Sequence, residues 1–280
     1  MRMEEIFTAW YPWLALGLGL LTGSFLNVVI YRLPIMLMRS AADDARRGDY
    51  PDINLWWPPS HCPCCQHAVM PWDNIPLLSW LLLRGRCRYC KCAIPVSYPL
   101  SELFTGAVFF TLVCTYSPHF TLVQLLFLAC FYSLLYTLTV IDINTCLLPN
   151  CLVYPLMWLG LTASVLHITP VSPRDSVIGA MFIGSFSWFI AHGYAWFSKR
   201  EGLGGGDVKL YTACAAWLGL GHVAELMLGS AVLGVLVFTL RGLFRAITSS
   251  RNDVVADPYM PFGPAIAATA LLILHMEVLC

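Results

Sequence analysis

Charged residues are scarce in this chain of 280 residues. Asp, Glu, Lys and Arg make up 11% of its positions, whereas soluble domains carry about 25%. The formal net charge is zero, so the overall charge gives nucleic-acid binding no electrostatic support. These shortages argue against an ordinary soluble domain and against a nucleic-acid partner, and the 58% of hydrophobic positions favours a membrane protein.

The apolar residues are gathered into long runs, which predict an all-α polytopic membrane protein with about eight transmembrane helices. A helix needs about 20 residues to cross hydrocarbon. The first run has no small-residue cleavage site after it, so we interpret it as a retained helix. The sixth run is the weakest because it is short and starts with glycine. The predicted spans are 9–31, 99–116, 121–141, 150–169, 176–197, 207–220, 222–243 and 262–279.

Basic residues are unevenly distributed between the loops. Of the 16 Lys and Arg residues, 14 lie in or near segments that follow odd-numbered spans, and only Arg2 and Arg174 lie on the opposite side. Because Lys and Arg are enriched in cytoplasmic loops, we expect those segments to be cytoplasmic and both termini to face outward.

Two cysteine pairs stand in a soluble segment of roughly residues 34–98. Cys62-x-x-Cys65 and Cys87-x-x-Cys90 have 21 residues between them, a spacing close to that of zinc ribbons. Four thiolates fill a tetrahedral Zn²⁺ shell and leave no position for substrate, so we interpret the zinc as structural. The alternative is redox-active or unpaired cysteines. Other potential ligands nearby are Cys64, Cys92, His61 and His67.

The segment is expected in the reducing cytoplasm, where disulfides rarely persist.

Two carboxylates lie at predicted span ends on the cytoplasmic side. Asp142 ends the third span in VIDINTCLLPN, and Asp207 begins the sixth in GLGGGDVKL. An ionisable residue in a span usually faces a polar cavity and has a function there. If the two carboxylates meet, one acts as the general base that activates water and the other as the acid that protonates the leaving amine. This pattern predicts aspartyl protease chemistry.

The glycines before Asp207 call for an explanation of their own. Gly204, Gly205 and Gly206 have no Cβ, so another chain can approach their backbone closely. We predict that they hold an extended substrate strand by main-chain hydrogen bonds, with support from Lys209. The alternative is an ordinary glycine loop in which Asp207 caps a helix. Glu102 at the start of the second span is a further candidate supporting residue, and an interfacial role is the alternative for it.

Five motifs in this order resemble the prepilin peptidases, the bacterial inner-membrane type IV prepilin leader peptidases. They are GSFLNVVIYRLPIML at 23–37, the CPCC…CRYC insertion with NIPLLSW, VIDINTCLLPN, GLGGGDVKL, and MPFGPAIAA at 260–268. The resemblance implies that Asp142 and Asp207 are the catalytic pair and that the four paired cysteines bind zinc. It divides the chain into a first helix (1–33), a cytoplasmic zinc segment (34–98) and a membrane protease domain (99–280).

The resemblance also implies an activity. A member of this family cuts prepilins or pseudopilins after a leader glycine at the cytoplasmic face of the inner membrane, and many members then methylate the new N-terminus with S-adenosylmethionine. No residues that bind the methyl donor are identifiable, because the sequence has no Rossmann-type glycine fingerprint. By analogy we expect them in the amino-terminal motif and the cytosolic segment. The oligomeric state is left open.

The sequence departs from the family pattern at three positions. Asn150 and Asn144 stand where acids are common, and Ser97 replaces a frequent Arg. Asn150 is able to hydrogen-bond but carries no charge, so substrate or pH preference is expected to differ.

Three other functions compete with this hypothesis. A transporter would place its acids near the bilayer centre, a thiol oxidoreductase would place its cysteines on the oxidising side, and a zinc-stabilised assembly scaffold would keep Asp142 and Asp207 apart.

Overall fold

The structure is a computed structural model that describes residues 3–42, 48, 51–116, 120–199, 202–248 and 260–279. Within these ranges the chain is helical, with isolated bridges as its only strand pairing, so the prediction of a helical protein is confirmed. The helices are α1 (Met3–Ala41), α2 (Leu78–Leu82), α3 (Ser97–Tyr116), α4 (Leu122–Thr145), α5 (Asn150–Val165), α6 (Pro173–Ser198), α7 (Gly205–Leu218), α8 (Val223–Thr248) and α9 (Gly263–Leu279).

Every predicted span coincides with one of these helices, but they differ in length. In the described part of the chain, five helices are long and apolar enough to cross a membrane: Trp10–Ala41, Ser97–Tyr116, Leu122–Thr145, Pro173–Ser198 and Leu220–Leu243. The apolar helices α5 and α9 are shorter, and α7 has 14 residues. Five of the basic residues used to orient the chain lie outside the described residues: Arg2, Arg46, Arg47, Arg200 and Arg251.

The chain divides into two compact units, residues 1–133 and 134–280, with the boundary inside α4. The domain limits predicted at residues 33 and 98 follow the cysteine segment instead, and they stay a prediction.

In the first unit, α1 and α3 pack closely because glycine lines their contact. Gly19 and Gly23 lie one turn apart on α1, and a Cβ on Gly19 would lie 2.6 Å from the Thr105 carbonyl oxygen, while one on Gly23 would overlap Thr105 Oγ1. Thr105 Oγ1 donates a hydrogen bond to the Gly19 carbonyl at 2.9 Å. Small residues that allow two backbones to approach, joined by an interhelical hydrogen bond, are typical of helix pairs in membranes.

In the second unit, α7 is the most enclosed helix, and its residues from 213 to 218 are buried. The Trp217 indole N–H donates to the Leu156 carbonyl of α5 at 2.8 Å. Gly160 of α5 makes room for that ring, since a Cβ there would lie 2.6 Å from Trp217 Cδ1. From α6, the Ser176 hydroxyl donates to the Ala216 carbonyl at 2.5 Å. Neighbouring helices therefore surround α7, which explains how so short a helix is accommodated.

The outward surfaces of α6 and α8 are apolar. Phe189 on α6 is 67% exposed and Val232 on α8 is 65% exposed, whereas Ser187 and Ser230 on the same helices are fully buried. Buried small polar residues and exposed large apolar ones are the arrangement expected where hydrocarbon surrounds the helices.

Candidate active site and metal centre

Asp142 lies in the last turn of α4, and its carboxylate is buried. Its Oδ2 accepts a hydrogen bond from the backbone N–H of Gly263 at 2.8 Å. Gly263 is the first residue of α9, so the carboxylate meets one of the N–H groups that a helix start leaves without an intrahelical partner. The positive end of the α9 dipole therefore faces Asp142.

Asp207 lies in the first turn of α7, directly after the glycines. Its backbone N–H donates to the Gly204 carbonyl at 3.0 Å, and its half-buried side chain turns back towards Gly204. A carboxylate in a first turn is favoured by the helix dipole. Both candidate acids thus lie at helix starts, Asp207 on α7 and Asp142 against α9.

Within the second unit, the two carboxylates lie in electrostatic range of each other. They lie close enough for the Asp142 charge to act on Asp207, although 64 residues separate them in the sequence. Two adjacent carboxylates supply an acid and a base to one reacting group.

The glycines of GLGGGD are explained by space and not by unusual dihedral angles. None of them has a positive φ, and Gly204 is extended at φ −65° and ψ 142°. A Cβ on Gly204 would lie 3.0 Å from Asp207 Oδ2, and one on Gly206 would lie 3.0 Å from Leu148 Cβ. Gly205 has nothing within 4 Å of the position of a Cβ, so its surface is open to another chain.

The other predicted residues lie in two places. Lys209 Nζ donates to Asn150 Oδ1 at 3.0 Å. This exposed hydrogen bond joins the GLGGGDVKL motif, which contains Asp207, to the VIDINTCLLPN motif, which contains Asp142. Glu102 belongs to the first unit, where its Oε2 accepts the Leu77 N–H at 2.8 Å. Its support of the aspartates stays a prediction.

Gly263 is the site residue that we did not predict. A Cβ on it would lie 2.7 Å from Asp142 Oδ2, so any side chain there would displace the carboxylate. The available signal was the Gly-Pro pair in MPFGPAIAA, because proline favours the first turn of a helix.

Four cysteine thiols converge in the first unit. The Sγ atoms of Cys62, Cys65, Cys87 and Cys90 all lie within 4.8 Å of one another. The pair from Cys62 and Cys90 is 3.7 Å apart, and the pair from Cys65 and Cys87 is 4.0 Å apart. Four sulfurs bound to Zn²⁺ at about 2.3 Å in a tetrahedron lie roughly 3.8 Å from each other, so this cluster has the dimensions of a tetrathiolate metal site.

The two cysteine pairs sit on matching backbone turns. The Cys62 N–H donates to the His67 carbonyl at 2.9 Å, and the Cys87 N–H donates to the Cys92 carbonyl at 2.8 Å. Each turn contains one residue with positive φ, at positions 66 and 91. Backbone N–H groups of the first turn point at the Cys62 sulfur and lower the pKa of its thiol to about 6, which favours the thiolate that a metal needs.

Cys64 and Cys92 lie outside the cluster and form a disulfide with each other. The group of described residues that could hold a metal ion thus consists of the four cysteines predicted from the spacing, and their role as ligands stays a prediction. The disulfide differs from the expectation of free thiols in a reducing compartment, because the two turns bring positions 64 and 92 into contact. The ring of His67 packs on Tyr89, with centroids 3.7 Å apart, and His67 is not part of the cluster.

Comparison with known proteins identifies two family regions. The model described as "Bacterial Peptidase A24 N-terminal domain" matches residues 18–116, and that described as "Type IV leader peptidase family" matches residues 127–239. The first region contains the cysteine cluster and the second contains both aspartates. No solved structure matches the chain.

Curated relatives match nearly the full length of the chain. A prepilin leader peptidase/N-methyltransferase of Pectobacterium carotovorum subsp. carotovorum is 44% identical over 273 residues, which cover 95% of this chain and 93% of the relative. Proteins of the same name from Aeromonas hydrophila and Burkholderia pseudomallei (strain 1026b) are 40% and 39% identical, each over 91% of this chain and over 89% and 82% of their own lengths. The chain belongs to the type IV leader peptidase family.

Proposed function

We propose that this protein is an aspartyl endopeptidase that removes the leader peptide of type IV prepilins or of type II secretion pseudopilins, and that it methylates the new N-terminus with S-adenosylmethionine. The peptidase activity is supported by the electrostatic proximity of Asp142 and Asp207 inside one unit, where Asp142 accepts from the start of α9 and Asp207 lies in the first turn of α7. The names of the curated relatives support both activities.

In the proposed cleavage step, one carboxylate accepts a proton from water as the water attacks the scissile carbonyl, and the other donates a proton to the departing amine. Gly263 holds Asp142 Oδ2, which leaves Oδ1 as the oxygen that exchanges the proton. The open backbone at Gly205 is where an extended substrate strand would hydrogen-bond.

A cavity of about 310 Å³ lies beside this site in the second unit, among Leu203, Tyr211 and Phe262. Leu203 precedes the glycines before Asp207, and Tyr211 lies one helical turn after Asp207. Phe262 precedes Gly263, whose N–H donates to Asp142. Because these neighbours of both aspartates line the cavity, we assign it to an apolar side chain of the substrate next to the scissile bond.

We further propose eight membrane spans, with the catalytic face and the cysteine segment in the cytoplasm of a bacterial cell with an inner membrane. The basic loops favour this orientation. The three shorter helices, α5, α7 and α9, would be the remaining spans besides the five long ones. Cys62, Cys65, Cys87 and Cys90 would hold Zn²⁺, which would fix the fold of the segment and take no part in cleavage. A transporter is disfavoured because both acids lie at helix ends.

The test is cleavage of a prepilin with a Gly leader junction in detergent or liposomes. We expect Asp142→Asn and Asp207→Asn each to abolish the shortened product. The matched control is Asp175→Asn, which alters an aspartate in the first turn of another helix, α6, and is expected to cleave normally. Cleavage at the wild-type rate by either of the first two variants, folded as judged by its melting temperature, would exclude the paired-aspartate mechanism.

A further inference from the structure

The first unit contains a cavity of about 370 Å³ between α1, α3 and the cysteine segment. This volume falls in the range of about 300–1,000 Å³ found for small-molecule sites. Ser24, Asn27 and Val28 of α1 contribute to one wall, and Trp80 and Tyr89 contribute aromatic rings to another. The cysteines Cys62 and Cys87 also line it, so the cysteine cluster and the cavity share a wall.

A buried carboxylate faces this cavity, and no basic side chain in the described ranges neutralises it. Glu102 is 8% exposed, and its Oε2 accepts the Leu77 N–H at 2.8 Å. Among the described residues, no Lys, Arg or His forms an ion pair with Glu102. A buried charge is costly unless it is paired, so a positively charged ligand would supply what the carboxylate lacks.

A buried guanidinium lines the same cavity. Arg32 is 8% exposed, and its two terminal nitrogens donate to the carbonyls of Asn54 and Pro58 at 2.8 and 2.7 Å. Within the described ranges it has no carboxylate partner, and the cavity's remaining acid, Asp73, is already paired with Arg88. As far as the chain is described, the cavity therefore presents one charge of each sign that lacks an ion-pair partner.

We propose that this cavity binds the methyl donor S-adenosylmethionine, with Glu102 facing its cationic part and Arg32 facing its carboxylate. The donor's amino-acid end carries charges of both signs, which matches the separated pair, and its adenosine needs an apolar wall with aromatic rings, which Trp80 and Tyr89 provide. The assignment rests on the methyltransferase part of the proposed function, and it names a cavity and two charged residues in the region where the donor was expected by analogy.

The test is direct binding of radiolabelled S-adenosylmethionine to the full-length, metal-loaded protein by equilibrium dialysis. We expect Glu102→Gln to raise the Kd about tenfold or more, because a hydrogen bond to a charged partner is lost while the amide oxygen still accepts the Leu77 N–H. The matched control is Glu225→Gln, which changes an exposed glutamate of the second unit and is expected to bind as the wild type does. Metal content and melting temperature report the fold of each variant.

A second variant fills the cavity without changing its charge. Val28→Phe is expected to abolish donor binding. Ultraviolet cross-linking of the bound donor, followed by peptide mapping, is expected to label residues 24–32 or 61–102. Unchanged binding by both variants, or a label outside these ranges, would overturn the assignment.

A phosphatidylethanolamine headgroup shares the two charges but not the adenosine. If vesicles of this lipid displace the donor and the product S-adenosylhomocysteine does not, the assignment of the cavity to S-adenosylmethionine would also be overturned. A protein that cleaves prepilin but binds no donor would instead contradict the methyltransferase activity itself, so the two failures are distinguishable.

Discussion

Replacement of Gly263 by alanine is the sharpest test of how the candidate active site is held. The new Cβ would lie 2.7 Å from Asp142 Oδ2 and 3.2 Å from its Cγ, roughly 0.7 Å inside ordinary contact. Because Asp142 is buried and its neighbours are closely packed, the carboxylate or the start of α9 has to move by a similar amount.

The expected loss is large in activity and moderate in stability. A displacement approaching 1 Å at a catalytic group costs about 10²-fold in rate, whereas overpacking costs about 1–3 kcal/mol in the free energy of unfolding. Alanine is intrinsically the better helix former, so a loss cannot be attributed to helix propensity. We expect kcat/KM for prepilin cleavage to fall about 100-fold while the protein stays folded.

The control and a graded variant come from the same chain. Gly193→Ala adds the same methyl group in α6, where nothing lies within 4 Å of the new atom, and should cleave normally. Gly204→Ala brings its Cβ to 3.0 Å from Asp207 Oδ2 and should lose less activity than Gly263→Ala. Cleavage by Gly263→Ala within about twofold of the wild-type rate, well inside the loss expected for a displaced catalytic group, would refute the inferred contact with Asp142.

Three further outcomes are expected. Asn150→Asp should turn the hydrogen bond from Lys209 into an exposed ion pair that stabilises by no more than about 1 kcal/mol, so a rise in melting temperature should appear at low salt and vanish at high salt. Treatment with a chelator, to remove the proposed Zn²⁺, should make residues 61–93 sensitive to trypsin while circular dichroism keeps its helical signal. Resistance to trypsin would contradict a structural metal. Arg88 holds the pKa of Asp73 below its usual range. The stability that Asp73→Asn removes is therefore fully present at neutral pH and is lost as pH falls through that lowered pKa. A difference in melting temperature between wild type and variant that grows in acid would contradict this sign.

Helix positions were predictable because hydrophobic run length depends on local composition alone. Helix ends were less so. The first span was expected to end at residue 31, before Arg32-Leu33-Pro34, but α1 continues through Pro34 to Ala41. Proline removes one backbone donor and does not always end a helix. The weak sixth span is a helix enclosed by its neighbours, and such tertiary packing leaves little trace in a hydropathy window.

Candidate site residues could be predicted where the residue type itself indicates the chemistry, as Asp and Cys do. They could not be predicted where a residue acts through a long-range contact. Two acids at equal predicted depth, and four cysteines at ribbon spacing, led us to predict a carboxylate pair and a metal site. The amide of Gly263, however, is 121 residues from Asp142, and nothing near either residue predicts that they meet. The glycines before Asp207 provide room, as their lack of a Cβ suggested, but Gly204 and Gly206 provide it for Asp207 and Leu148 of the same chain.

The way both aspartates are held follows from this packing. Asp207 is fixed by the start of α7, a helix buried through Trp217 and its neighbours, and Asp142 is fixed by the first N–H of α9. Helix starts place N–H groups and a positive dipole at a defined position, whereas a loop would have to order its backbone at a cost of about 1–2 kcal/mol per residue. In the proposed mechanism, a site built against two such starts would stay arranged for acid–base chemistry before substrate arrives, and the open backbone at Gly205 would receive the strand that is cut.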